Sequence, residues 1–230
     1  MSQPGFFDVE NRLEALSEFG DPLEKLSEVV DFEQFRKTIN RSIAFIVSRK
    51  GGRPPWDSVI MFKILILQTL YNISDEQLEF QIKDRLSFQR FLGLSLGDKV
   101  PDAKTIWLWR ERFKKHKLMD KIFRKFDQEL KNKGYLAMSG QIIDATIVKA
   151  PRQQNTKEEK DTIKEGKVPE DWKDKPHKLS QKDLDARWTK KHSKTYYGYK
   201  GHVTVDQKSK LIIDYDVTTA NIHDSQPTTY

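Results

Sequence analysis

Residues 138–148 read Met-Ser-Gly-Gln-Ile-Ile-Asp-Ala-Thr-Ile-Val, a β-rich run in which Asp144 is the one charge. Isoleucine, valine and threonine at this density suit a strand inside a sheet. A carboxylate buried in such a strand is costly unless it is paired or bound to a cation. No basic residue stands beside it in the run, so a divalent ion, which takes oxygen ligands, is the cheapest compensator. Asp144 is therefore a candidate metal ligand. The competing reading is an edge aspartate that meets solvent or a lysine from the stretch that follows.

That following stretch, residues 149–195, is polar and lysine-rich with hardly any apolar periodicity, and reads as a disordered basic insertion over 150–195. Two further β-rich runs come next: Tyr-Gly-Tyr-Lys-Gly-His-Val-Thr-Val-Asp at 197–206 and Leu-Ile-Ile-Asp-Tyr-Asp-Val-Thr at 211–218. The four residues between them, Gln207 to Lys210, give a hairpin signal. Asp214 and Asp216 share one side of their strand and read as a solvated face. His223-Asp224-Ser225 is N-terminal helix chemistry, with Asp224 as a cap and His223 as a packing or capping residue.

Upstream, the periodicity is helical. Apolar residues recur at three and four from Leu23 to Ile46, and a break follows at Ser48–Pro55 with paired glycines and prolines. Trp56–Leu70 is apolar almost all round, as expected of a helix buried in a bundle. Asn72 or Ser74 caps the next helix, with Gln77 completing a capping-box pattern and Leu78, Ile82 and Leu86 facing inward. Asp102 caps a helix whose spacing runs from Ile106 to Leu130, ending at Gly134. Along it stand Arg110, Arg112, Lys114, Lys115, Lys117, Lys121, Arg124 and Lys125, against Glu111 and Asp120. A basic helix after a glycine-containing connection fits a helix-turn-helix, although Leu92–Pro101 is long for the turn; two ordinary bundle helices are the alternative.

The chain has 230 residues, a net charge of +7 and no cysteine, which excludes a disulfide framework, thiolate metal sites and cysteine nucleophiles. Residues 1–34 hold two basic and nine acidic residues, whereas 35–138 hold 22 and 11, so the positive charge is concentrated in the middle. Such a concentration attracts polyanions and releases counterions from nucleic acid. No apolar stretch approaches the ~20 residues of a membrane span, and no secretory signal is readable, so a soluble, cytoplasmic chain is expected.

Taken in order, these features resemble bacterial insertion-sequence transposases of the DDE type, most closely the insertion-sequence-five group. The resemblance rests on Arg53-Pro54-Pro55, Tyr71-Asn72-Ile73-Ser74-Asp75, Arg85-Leu86-Ser87-Phe88 and Pro101-Asp102 in the front half. In the back half it rests on Asp144 in Ile-Ile-Asp-Ala-Thr-Ile-Val, Gly198-Tyr199-Lys200-Gly201-His202-Val203, and Thr219–Ser225. It spans roughly residues 35–230 and implies an α+β chain. An acidic helical segment (1–34) would precede a basic all-α DNA-binding bundle (35–137). A partial ribonuclease-H-like domain (138–230), with three antiparallel strands and the start of a helix, would follow.

The same resemblance implies that Asp144 is a catalytic aspartate holding Mg2+ or Mn2+. It also implies that Arg110, Arg112, Lys114, Lys115, Lys117, Lys121 and Lys200 face DNA, and that Gly198, Tyr199 and His202 serve the second strand. The partner would be double-stranded DNA at the terminal inverted repeats, bound by a homodimer at the nucleoid, with no membrane involved. The family carries its second aspartate after a fourth strand and its glutamate later still. The chain is accordingly expected to stop before two of its three catalytic carboxylates, which leaves open whether it is an enzyme. The alternatives are a catalytically dead fragment that binds or regulates transposon ends, and an RNA-directed or repair nuclease with the same sheet.

Overall fold

The computed structural model describes residues 5, 7–43, 54–135 and 140–223, which form two compact units, 1–128 and 129–230. Several sequence features lie outside the described residues: Ala44 to Arg53, Leu136 to Ser139 at the head of the first β-rich run, and Asp224 onward.

The first unit is helical: α1 (Asp8–Glu18), α2 (Pro22–Val29), a 3-10 turn (Phe32–Phe35), α3 (Arg36–Ile43), α4 (Ser58–Tyr71), α5 (Asp75–Asp84), α6 (Leu86–Leu92), α7 (Ala103–Lys115) and α8 (Leu118–Asn132), whose last turns belong to the second unit. Helix α4 is its axis. Asp57 starts it by accepting the Val59 and Ile60 N–H groups at 2.9 and 3.0 Å, and Asn72 ends it in the left-handed region at φ 49°. Met61, Ile64 and Leu67 are fully buried and pack in one core with Leu78, Ile82, Phe88 and Ile106. Each such side chain contributes roughly 1.5–3 kcal/mol by leaving water.

Ser74 and Asp102 cap α5 and α7, as their sequence positions suggest, at 3.2 and 2.6 Å from the Gln77 and Thr105 nitrogens. The helix expected to run on to Gly134 is two helices, because Lys117 takes φ 48° between α7 and α8. The acidic front segment, as described from Phe7 to Gln34, belongs to the bundle. Leu23 and Phe32 are in the core, and Arg90 on α6 donates to Asp21 at 2.6 Å, Ser17 at 2.7 Å and the Leu13 carbonyl at 3.2 Å.

The second unit is built on a four-stranded antiparallel sheet, one strand more than expected: β1 (Gln141–Lys149), β2 (Arg187–Lys191), β3 (Lys194–Asp206) and β4 (Ile212–Thr219). The long β3 pairs with all the others. The hairpin after Asp206 is present, its turn fastened by Asp206, which accepts the Ser209 N–H and hydroxyl at 2.7 Å each.

The stretch expected to be disordered instead carries three short helices, α9 (Lys157–Lys164), α10 (Glu170–Lys173) and α11 (Pro176–Ser180), and then β2. The physical reason is one tryptophan. Trp172 is fully buried, donates its indole N–H to Glu159 at 2.7 Å, and has the Lys178 and Lys182 ammonium groups 5.0 and 5.3 Å from its ring. Ammonium groups set against an aromatic ring are attracted to it, so a small core forms without apolar periodicity.

Candidate functional site

Asp144 lies mid-strand on β1 opposite Val203 of β3, and Val203 in turn stands opposite Tyr215 of β4. These three side chains share one face of the sheet. The expected burial of Asp144 does not hold. The residue is exposed, as are Ile142 (47%), Ile143 (57%) and Val148 (51%) around it; Ile142 and Ile143 point to opposite faces, so neither face of this strand is covered there. Its carboxylate accepts the N–H of the next residue, Ala145, at 2.9 Å. The desolvation argument for a bound ion therefore lapses, and what remains is an accessible carboxylate on the surface of a sheet.

Asp214 and Asp216 stand opposite Thr204 and His202, on the other face from Asp144. Among the described residues no three histidine, aspartate or glutamate side chains come together in a way that could hold a metal ion. A pair of ions ~3.5–4 Å apart needs more carboxylates than Asp144 alone provides. Asp224 lies outside the described residues.

The glycine-tyrosine motif on β3 builds the sheet. Gly198 has φ 148°, and a Cβ there would fall 2.1 Å from the Val148 carbonyl oxygen, so only glycine lets β1 approach. Tyr199 donates to Asp183 at 2.6 Å. Burial, and then the Asp183 carboxylate, push the Tyr199 hydroxyl well above its ordinary pKa. Burial pushes the Asp183 carboxyl upward, but the Tyr199 hydroxyl and the Ala186 and Asp185 N–H groups outweigh it and hold it below the usual range. Lys200 donates to the Ile222 carbonyl, and His202, buried, lies 2.9 Å from the Thr218 hydroxyl.

In the helical unit the candidate DNA-facing cations separate into two kinds. Arg110 is committed within the bundle: it donates to Asp75 through two nitrogens and to Gln68 at 2.9 Å. Hydrogen bonding to Asp75 raises the Arg110 pKa and holds the Asp75 carboxyl below its ordinary range. Lys114, Lys115, Lys117 and Lys121 are exposed, and Arg112 lies with its guanidinium 5.7 Å from the Trp109 ring. Lys121 donates to the Ser42 hydroxyl at 3.2 Å. Lys114 and Lys117 also border an open groove of about 540 Å³ with an apolar floor of Phe62, Leu65, Ile66 and Phe113.

Two family models match this chain, one for each half. Residues 11–112 match the family described as Transposase domain (DUF772), and residues 135–229 match the Transposase DDE domain. The chain belongs to the insertion-sequence DDE transposases. DDE transposases act on DNA and depend on divalent metal ions as a class; the first matched region contains Arg110 and Arg112 and ends before Lys114, and the second contains Asp144. No solved structure matches the chain. No helix among the described residues is long and apolar enough to cross a membrane.

Sequence reasoning missed the ordered insertion and the strand that follows it. A local signal for the former exists in Thr156-Lys157-Glu158-Glu159, a capping box in which Thr156 and Glu159 satisfy each other's backbone N–H groups.

Proposed function

We propose that this DDE transposase, of the insertion-sequence-five group, binds the terminal inverted repeats of its element as duplex DNA through the helical unit. In this reading Arg112, Lys114, Lys115, Lys117 and Lys121 neutralise phosphates, Arg110 keeps its helix in place, and Lys200 supports the sheet. Asp144 supplies one carboxylate for the Mg2+ or Mn2+ that assists phosphodiester cleavage and strand joining in a ribonuclease-H-like sheet. The carrying observation is that the one charge in the first β-rich run is a freely accessible carboxylate, inside the segment matched by the Transposase DDE domain. A homodimer acting at the nucleoid follows from the resemblance.

Incubating the full chain with DNA bearing the element's ends in Mg2+ tests this. Nicking that disappears in Asp144→Asn is the expected outcome, and nicking that survives it removes Asp144 from the reaction. A second reading is a protein that binds transposon ends without cutting them. It predicts tight binding with no cleavage in either Mg2+ or Mn2+.

A further inference from the structure

The hairpin of β2 and β3 is not used by the reading above. Its strands join through His192 and Ser193, at φ 47° and 63°, a two-residue turn whose twist suits a hairpin. The pairing of β1 with β3 stops at Lys149 opposite Gly198, with the Ala150 N–H still held by the Tyr197 carbonyl, so Lys194–Tyr196 are paired with β2 beyond it and the hairpin extends as a two-stranded ribbon. Between Arg187 and Val205 the sequence holds Arg187, Lys190, Lys191, Lys194 and Lys200 and no acidic residue. Lys190, Lys191 and Lys194 are exposed at the tip.

Aromatic groups stand among these cations. Trp188 is 53% exposed, its ring is 5.2 Å from that of Tyr197 directly opposite, and the Arg152 guanidinium lies 5.4 Å from it. Tyr197 and Val203 point to the same side of β3, and Val203 pairs with Asp144. The Trp188–Tyr197 pair and Lys190 therefore share a sheet face with Asp144. Tyr197 and Val203 are six residue steps apart on the strand, about 20 Å at ~3.3 Å per residue. Along one DNA strand, at 3.4 Å per step, that is about six base pairs.

We propose that this ribbon is a second DNA-contact element, gripping duplex phosphates with its tip lysines about eight to nine base pairs from the phosphodiester that Asp144 faces, since Thr195, opposite Lys190, and Lys194 are eight and nine residue steps from Val203. The inference rests on the transposase reading of Asp144. Charge complementarity selects the occupant, and the width of a two-stranded ribbon suits the major groove of a duplex.

The test is a fluorescence-anisotropy titration of the full chain with a labelled 30-base-pair duplex at increasing salt, comparing wild type with Lys190→Gln/Lys191→Gln/Lys194→Gln. The triple variant is expected to lose about three units of the slope of log affinity against log salt. An unchanged slope overturns the proposal, as does stronger binding to the single strand or equal displacement by polyglutamate. If wild type binds no duplex, the DNA-binding reading falls with it. If Lys114→Gln/Lys115→Gln lowers the slope and the hairpin variant does not, only the ribbon proposal falls. Duplex DNA is also expected to slow tryptic cleavage of wild type at Lys190, Lys191 and Lys194, and cleavage that ignores DNA overturns the proposal without any variant.

Discussion

Arg110 of α7 and Asp75 of α5 form a two-point ion pair, with the two nitrogens 2.6 and 2.8 Å from the two carboxylate oxygens. The planar fork of arginine matches a carboxylate in a way that lysine does not. The pair fixes the basic helix to the start of α5, so its charge serves the fold, whereas Lys114 and Lys115 four and five residues on are exposed.

Arg110→Ala is expected to lower stability by about 1–2 kcal/mol, less than a fully buried pair would lose because the arginine side chain is 40% exposed and screened. Arg110→Lys is expected to recover only part of it. Urea denaturation checks both. Lys114→Gln/Lys115→Gln is expected to leave stability within about 0.5 kcal/mol and to reduce the salt slope of DNA binding by about two. The opposite pattern would exchange the roles of the arginine and the lysines.

The ordered insertion has an acid limit set by Glu159. This carboxylate accepts from Lys178 at 2.9 Å, Thr156 N–H at 2.8 Å and the Trp172 indole at 2.7 Å, which hold its pKa down to about 2. A depressed carboxylate contributes stability that is complete above its unfolded value near 4.5 and fades as pH falls toward 2. The environment of Trp172 is therefore expected to be constant from pH 7 to 5 and to open between about 4.5 and 2. In Glu159→Gln this acid-dependent loss is expected to vanish, with the insertion already loosened at neutral pH. Hydrogen exchange of residues 156–180 across that range reads both effects.

Much of the helical unit is legible locally, because caps and periodicity act within a few residues. Ser74 and Asp102 each stand beside the N–H groups that they satisfy. The break at Lys117 is not legible, since a lysine in the left-handed region carries no glycine or proline signal. Nor is the commitment of Arg110, whose partner lies 35 residues earlier. Asp144 was legible as the odd residue of its run, but its surroundings were not, because burial depends on what packs over a strand. The insertion is not legible because the neighbours of Trp172 are lysine ammonium groups, which do not register in a hydrophobic pattern.

Because the Asp144 carboxylate is exposed and its described hydrogen bond goes to the neighbouring Ala145 N–H, Asp144→Asn is expected to change stability by less than about 0.5 kcal/mol. Thermal unfolding checks it. A large loss would mean that the carboxylate supports the sheet, and any accompanying loss of DNA cleavage would then say nothing about chemistry.

Gly198 sets how closely β1 and β3 meet, and its replacement separates the sheet from the insertion. A Cβ at this position would lie 2.1 Å from the Val148 oxygen and 2.7 Å from the Ala150 nitrogen, both backbone atoms that no rotamer change can move aside. Its φ of 148° adds a conformational cost for any side chain. Gly198→Ala is therefore expected to cost about 3 kcal/mol or more, through a β1 end forced away from β3. Hydrogen exchange should rise first at Ala150, whose N–H is held by the Tyr197 carbonyl at 2.9 Å, and then along Thr146–Lys149. The Trp172 cluster is built on α9–α11 and should keep its protection, so equal loss in both places would mean that sheet and insertion unfold as one.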